Sequence, residues 1–336
     1  MNAERTFMWS RFIPAVAALI ILILLTACGS AKSVPAADML PDDEPAVIPL
    51  EGPIVVALQP GHWKIDELPA EARRRPRSIG AVHAGVREVD INLAVVDALV
   101  PLLEEEGWRV FVVPATVPPG LRADAFISVH ADWGGTPARQ GWKLAPPWRP
   151  SRAANRLADS LRASFADESN LVEDVGGVTV GMRGYFGFSS HRYTHASSPY
   201  TPAVLVELGF VTNQRERELM SGNPEYYAAI IHRGLERHFY RHGRAPVADL
   251  VPTSFPILYA GSDGVEVRNR PSESGAVIAT LEAGTRLRPV DEAGDWYEFF
   301  LRNPWRIGFI HRRDLAAELA QADEEVENRE LSESGS

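Results

Sequence analysis

Four short runs set the limits on what this chain can fold into: Ile54–Leu58, Arg109–Val113, Ala125–Val129 and Ala203–Val206. Runs of this length, rich in β-branched residues, read as strands, and Ile54–Leu58 as one buried on both faces, as in a parallel sheet. Between them the apolar spacing changes to three and four. Val89, Leu93, Val96, Val100 and Leu103 share one face of a helix, which Pro101 is expected to kink or split. Ala154, Leu157, Leu161 and Phe165 share another behind a capping Ser151. Tyr227, Ile231, Leu235 and Phe239 form a third, started by Asn223-Pro224. Strands alternating with helices predict an α/β fold, an open, twisted, mostly parallel sheet with helices on both faces.

The strand ends carry chemistry. Pro60-Gly61 stops the first strand and His62 follows the turn. His130 stands directly after Ala125–Val129, Glu207 after Ala203–Val206, and Glu88 just before the first helix. In open α/β sheets functional groups collect beyond the carboxyl ends of strands, and a carboxylate at a helix start is kept ionised by the dipole. His62, Glu88 and His130 make a three-ligand set for one zinc ion that leaves a position open for water. A further carboxylate is needed to take that water's proton and pass it to a leaving amine, and Glu207 is a candidate for that role. The segment Trp133 to Pro150, with Trp133, Trp142 and Trp148, reads as a loop wall beside His130. In the irregular stretch 170–201, His191 and His195 are candidates for holding substrate or an oxyanion, with a surface-loop role as the alternative.

These residues stand in Gln59-Pro-Gly-His62, Arg-Glu88-Val-Asp-Ile-Asn-Leu, Ile-Ser-Val-His130-Ala and Val-Leu-Val-Glu207-Leu-Gly-Phe-Val-Thr-Asn213. Together and in this order they resemble the motifs of the bacterial zinc-dependent N-acetylmuramoyl-L-alanine amidases. The resemblance implies zinc held by His62, Glu88 and His130, and Glu207 as the catalytic carboxylate; Gln59 and Asn213, within the same motifs, are candidates for substrate or outer-shell groups. It also implies a peptidoglycan substrate, cut at the amide between N-acetylmuramic acid and L-alanine. The chain departs from the family pattern at Gln59, where Asp is usual, and at Trp63-Lys64, where glycines are. A short Pro-rich link over 114–124 replaces a longer segment, and Asp132 stands where Asn is common. These departures bear on substrate fit and rate more than on the metal. Two other classes stay open: a wall-binding or activator lipoprotein that no longer turns over, and a zinc peptidase on stem peptides.

The two ends of the chain have different textures. Arg5 and Arg11 precede an apolar run, Phe12 to Leu25, too short for a comfortable transmembrane helix but suited to a signal peptide. Leu25-Thr26-Ala27-Cys28 resembles the bacterial lipoprotein box. Cys28 is the single cysteine of the chain, so no internal disulfide competes for it. The resemblance implies a lipid anchor on Cys28 and an exported protein held at the cell envelope, on the cytoplasmic or an outer membrane. At the other end, short strands with turns from Ile257 onward predict a small all-β barrel, and Val265–Ser272, Val277–Thr285, Gly294–Tyr297 and Gly308–His311 resemble bacterial SH3-like domains, which implies a cell-wall or peptide-binding role.

The expected organisation is therefore a signal peptide over 1–27, a tether over 28–52 and a catalytic domain over 53–242. A linker over 243–256, an SH3-like domain over 257–316 and an acidic disordered tail over 317–336 follow. A net charge of -10 argues against nucleic acid as a partner. Whether a protein activator is needed is left open.

Overall fold

The structure, a computed structural model, describes residues 50–72, 79–302 and 305–317. The signal segment, Cys28, most of the tether, the arginine run from Arg73 and the acidic tail lie outside the described residues. The chain runs β1 (Val55–Pro60), β2 (Val82–His83), β3 (Val86–Arg87), α1 (Glu88–Glu105), β4 (Arg109–Val112) and β5 (Ala125–Asp132). It continues through β6 (Lys143–Ala145), α2 (Arg152–Glu168), α3 (Val180–Arg183), β7 (Ala203–Phe210), α4 (Gln214–Gly222), α5 (Pro224–His242) and α6 (Val247–Leu250). The first sheet has the order β4-β1-β5-β7-β6. Its first four strands are parallel and β6 pairs antiparallel with β7. This is the α/β sheet the strand pattern predicts.

Alternation along each strand divides the side chains between two cores. Val56, Leu58, Ile127, Val129, Val204 and Val206 meet α1, α2 and α5 on one face. Val55, Ala57, Phe126, Ala203 and Leu205 meet Met182, Tyr185, Phe186 and Phe188 on the other. The long helices thus share a face, and short helical turns of the irregular stretch cover the second.

Several local expectations are revised. α1 runs unbroken through Pro101, whose place near the C-terminal end forfeits little of the hydrogen-bond ladder. Its buried stripe is Ile91, Val95, Val96, Leu99 and Leu103 rather than the one beginning at Val89. The helix is turned slightly because it packs on both the sheet and α5. Strands β5 and β7 continue past their apolar runs, so His130 and Glu207 lie inside strands. The expected loop wall contains β6, with Trp142 only 1% exposed. The Ser151 cap is as expected, its Oγ accepting from Ala154 N at 3.2 Å.

The C-terminal region is β-rich, with antiparallel pairing throughout its described strands: β8 (Leu258–Ala260), β9 (Val265–Arg268), β10 (Val277–Leu281) and β11 (Arg286–Leu287). β12 (Asp291–Ala293), β13 (Trp296–Arg302), β14 (Trp305–His311) and β15 (Leu315–Ala316) complete it. They form sheets of order β10-β9-β14-β13-β12 and β11-β8-β15 around Val265, Val267, Phe299 and Ile310. Within the expected linker, Asp249 of α6 pairs with Arg152 and Arg156 of α2, and Leu250 and Phe255 are buried. Among the described residues no helix is long and apolar enough to cross a membrane.

Candidate active site

The site is built where β1, β5 and β7 reach the second face of the sheet. Register places Gln59 beside Ser128, and His130 beside Glu207. All four share the face of Ala57, Phe126 and Leu205 by strand alternation. Beyond Pro60 the chain turns, with Gly61 N donating to Val129 O at 2.8 Å. His62 takes the left-handed conformation at φ 64, uncommon for a residue with a side chain. A Cβ on Gly61 would stand 2.4 Å from His130 Cε1. Only glycine lets this turn pass over the imidazole. Gly61→Ala is expected to push the two histidines apart and to lower zinc affinity by roughly tenfold or more, measured by calorimetric titration of the zinc-free protein.

Glu88 opens α1, where the helix start favours an anion, and is 4% exposed. Its Oε2 accepts from Ala81 N at 2.7 Å, and its Oε1 accepts from Ala131 N at 3.2 Å and Asn92 Nδ2 at 3.4 Å. The same Oε1 lies 3.0 Å from His130 Nδ1 and 3.1 Å from His62 Nε2. The two imidazoles meet edge to face, their centroids 5.0 Å apart. Burial alone would raise the Glu88 carboxyl, but the bonds from His130 and His62 outweigh it and hold it well below the usual carboxylate range. Burial lowers His130 from the ordinary imidazole value despite the Glu88 bond, which favours its neutral, electron-donating form.

One donor atom each from His62, Glu88 and His130 lies within 4.8 Å of the others. Two imidazoles and a carboxylate are a donor set that zinc accepts with a position to spare. Two atoms in this neighbourhood, His130 Nε2 and Glu207 Oε2, are shielded from solvent without a hydrogen-bond partner. Buried polar groups are nearly always satisfied, so these orphans fit a centre completed by a further group. Burial first, then the Asp132 and Glu88 carboxylates, push Glu207 well above the usual carboxylate range, with Lys143 pulling the other way. A carboxyl raised in this way holds a proton more readily than an exposed one, as a group that takes and returns a proton must.

Other expected residues are placed as follows. Gln59 is fully buried, its Oε1 accepting from Ser128 Oγ at 2.9 Å and Tyr185 OH at 2.8 Å while its Nε2 donates to Pro114 O at 2.9 Å. The neutral amide therefore has partners for both its ends. Asn213 caps α4, accepting from Glu216 N at 3.2 Å and donating to Pro137 O at 3.0 Å. His195 Nδ1 lies 2.7 Å from Glu71 Oε1, and that carboxylate also accepts from Thr194 N and His195 N. Those backbone bonds, and then the imidazole, hold Glu71 at about 2, so this pair pins the irregular stretch to the segment after His62. His191 is exposed, lowered by burial of part of its ring and by Arg192 and Arg149.

Two residues escaped the sequence reading. Lys143 is 1% exposed and stands opposite Glu207 on β6, its Nζ donating to Asp132 and, at 3.4 Å, to Asp174. A lone lysine inside Trp-Lys-Leu-Ala was its signal. Tyr185 sets its ring edge to face with His130 at 5.4 Å, and nothing local in the sequence marks it.

A parallel sheet that brings two imidazoles and a carboxylate to one point, with a shielded carboxyl on the next strand, suits metal-assisted hydrolysis. A family model described as N-acetylmuramoyl-L-alanine amidase matches residues 56–237, more than half of the chain. The chain belongs to that family, whose members are zinc-dependent cell-wall hydrolases, and it is an amidase of this kind. Several solved structures match the chain at low identity. The amidase AmiC2 of Nostoc punctiforme is 19% identical with a TM-score of 0.40, covering 56% of this chain and 99% of that one. The amidase Ami1 of Mycobacterium smegmatis is 20% identical with a TM-score of 0.40, covering 56% of this chain and 97% of its own. The CwlD amidase of Clostridioides difficile, solved in complex with the GerS lipoprotein, is 18% identical with a TM-score of 0.42, covering 56% and 99%. A search of the curated proteins finds no match.

Proposed function

We propose that His62, Glu88 and His130 hold one zinc ion and that Glu207 moves the proton in cleavage of the N-acetylmuramic acid–L-alanine amide of peptidoglycan. The observation that carries this reading is the convergence of three ligand atoms within 4.8 Å beside two shielded, partnerless atoms. When bound, zinc supplies positive charge to polarise the scissile carbonyl and lowers the pKa of a water at its open position. Glu88 fixes both imidazoles by standing between them. Neutral His130 offers a ring nitrogen as ligand. Glu207, raised by burial, takes the proton of the attacking water and returns it to the departing L-alanine amine, so the carboxyl ends each cycle as it began.

The rest of the chain is read around that chemistry. Residues 1–27 are a lipoprotein signal, Cys28 carries the lipid, and the tether to residue 52 lets the catalytic domain, 53–242, reach the wall from a membrane surface. One acyl chain holds only marginally, so the anchor needs two or more. The β-rich region, 257–316, is an SH3-like module that keeps the enzyme on its polymer. Treating the purified protein with a chelator should abolish hydrolysis of peptidoglycan, and one zinc per chain should restore it. Full activity in the stripped protein would sink the metal reading.

A further inference from the structure

The β-rich region is joined to the catalytic domain by more than the chain between them. Arg183, at the end of α3, is 3% exposed. Its Nη2 donates to Asp291 Oδ2 at 2.6 Å and its Nε to Glu298 Oε1 at 3.1 Å, both carboxylates belonging to the β-rich region. Its Nη1 donates back to Pro146 O at 3.1 Å, beside β6. Nearby, Arg149 N donates to Val290 O at 2.8 Å, and the Trp148 and Phe300 rings lie 5.8 Å apart.

The same short turn also reaches the candidate metal centre. Two residues after Arg183, Tyr185 is 8% exposed. Its hydroxyl donates to Gln59 Oε1 at 2.8 Å and its ring stands edge to face with His130 at 5.4 Å. The backbone between the two contacts is internally bonded: Arg183 N to Thr179 O, Gly184 N to Val180 O, Tyr185 N to Met182 O and Phe188 N to Tyr185 O. A segment bonded in this way shifts as a unit. Displacement at Arg183 is therefore felt at Tyr185, and through it at His130 and at the Gln59 amide that precedes the His62 turn.

We propose that Arg183 is a positioning residue through which the docked β-rich region holds Tyr185 against His130 and Gln59, so that this region shapes the catalytic centre as well as any hold on the wall. The inference rests on reading His130 as part of that centre. It separates two roles a C-terminal module can have. A module that only raises local substrate concentration changes apparent binding to the wall, and nothing on a small soluble substrate. A module that positions the centre changes turnover of that small substrate, because slight misplacement of reacting groups is costly.

Arg183→Met would leave Asp291 and Glu298 buried without their counter-charge, and such losses can prevent folding. The test therefore uses the full chain with Asp291→Asn and, separately, Glu298→Gln. Each is assayed on a soluble muramoyl-peptide, and amide hydrogen exchange is followed on the zinc-free protein. We expect kcat to fall by about tenfold with KM within about twofold, and exchange across 179–189 to quicken. Tyr185→Phe combined with Asp291→Asn should lose less than the sum of the two, as coupled residues do. Wild-type kcat and wild-type exchange across 179–189 in both carboxylate variants would overturn the inference. If the wild-type chain itself does not cleave, the proposed function fails, while the exchange data still decide whether docking reaches this segment.

Discussion

Glu207→Gln is expected to lower kcat by about 10²–10⁴-fold, the usual share of a general acid–base group, while zinc binding stays at the wild-type level. The same substitution should stabilise the zinc-free protein. The Glu207 carboxyl is pushed above its ordinary value by burial and by Asp132 and Glu88. A carboxyl with a raised folded-state pKa contributes stability that is fully present below its unfolded pKa and is lost as pH rises through the folded one. At neutral pH the ionised form opposes folding, and glutamine removes that opposition. The variant's Tm should therefore exceed that of the zinc-free wild type at neutral pH. The gap should close as pH falls toward the ordinary carboxylate range near about 4.3. Thermal unfolding at a series of pH values reads this directly. A gain in stability paired with a loss of turnover is what a strained functional group produces. Loss of both would mean that Glu207 is a structural residue.

Glu88→Gln should be the most damaging change to metal binding. It keeps the shape of the side chain and removes the charge that stands 3.0 Å and 3.1 Å from the two imidazoles. Zinc affinity should fall by more than about 100-fold, beyond the range seen when an outer partner of a ligand is lost. The zinc-free fold should also weaken, by about 1–3 kcal/mol, because an amide cannot serve both Ala81 N and the Ala131 side of the site as two carboxylate oxygens do. In the wild type the depressed Glu88 carboxyl contributes stability present above its unfolded pKa and lost as pH falls through the folded one. The substitution should therefore flatten the acid limb of the stability curve. Unchanged zinc affinity would remove Glu88 from the ligand set.

The frame of the site was legible in the sequence because strand ends and a helix start are local features. Apolar runs marked β1, β5 and β7, and the polar residue that broke each run marked a candidate group. The same rule misplaced the strand ends. His130 and Glu207 continue their strands because each pairs across the sheet with the other, and pairing between distant segments leaves no local trace. β6 was hidden because it is short, lies between Gly and Pro turns and begins with Lys143, a charge that its Asp132 and Asp174 partners make tolerable in the interior. Tyr185 and Gln59 lie 126 residues apart in sequence, so neither residue type announces the bond. Arg183 likewise meets Asp291 across 108 residues. What the sequence conceals here is the support around the site, carried by single long-range contacts.

The family places the chain among cell-wall amidases, and the chemistry assigned to Glu207 and the His62–Glu88–His130 cluster turns on which bond is cut. The most direct measurement is the mass of the products released when purified, zinc-loaded protein is given peptidoglycan, with Glu207→Gln run beside it. Stem peptides with a free L-alanine amine, and glycan strands stripped of their stems, are the expected products, and both should fade in the variant. Cleavage within the stem peptide, or wall binding with no product from a protein that holds its zinc, would contradict the account.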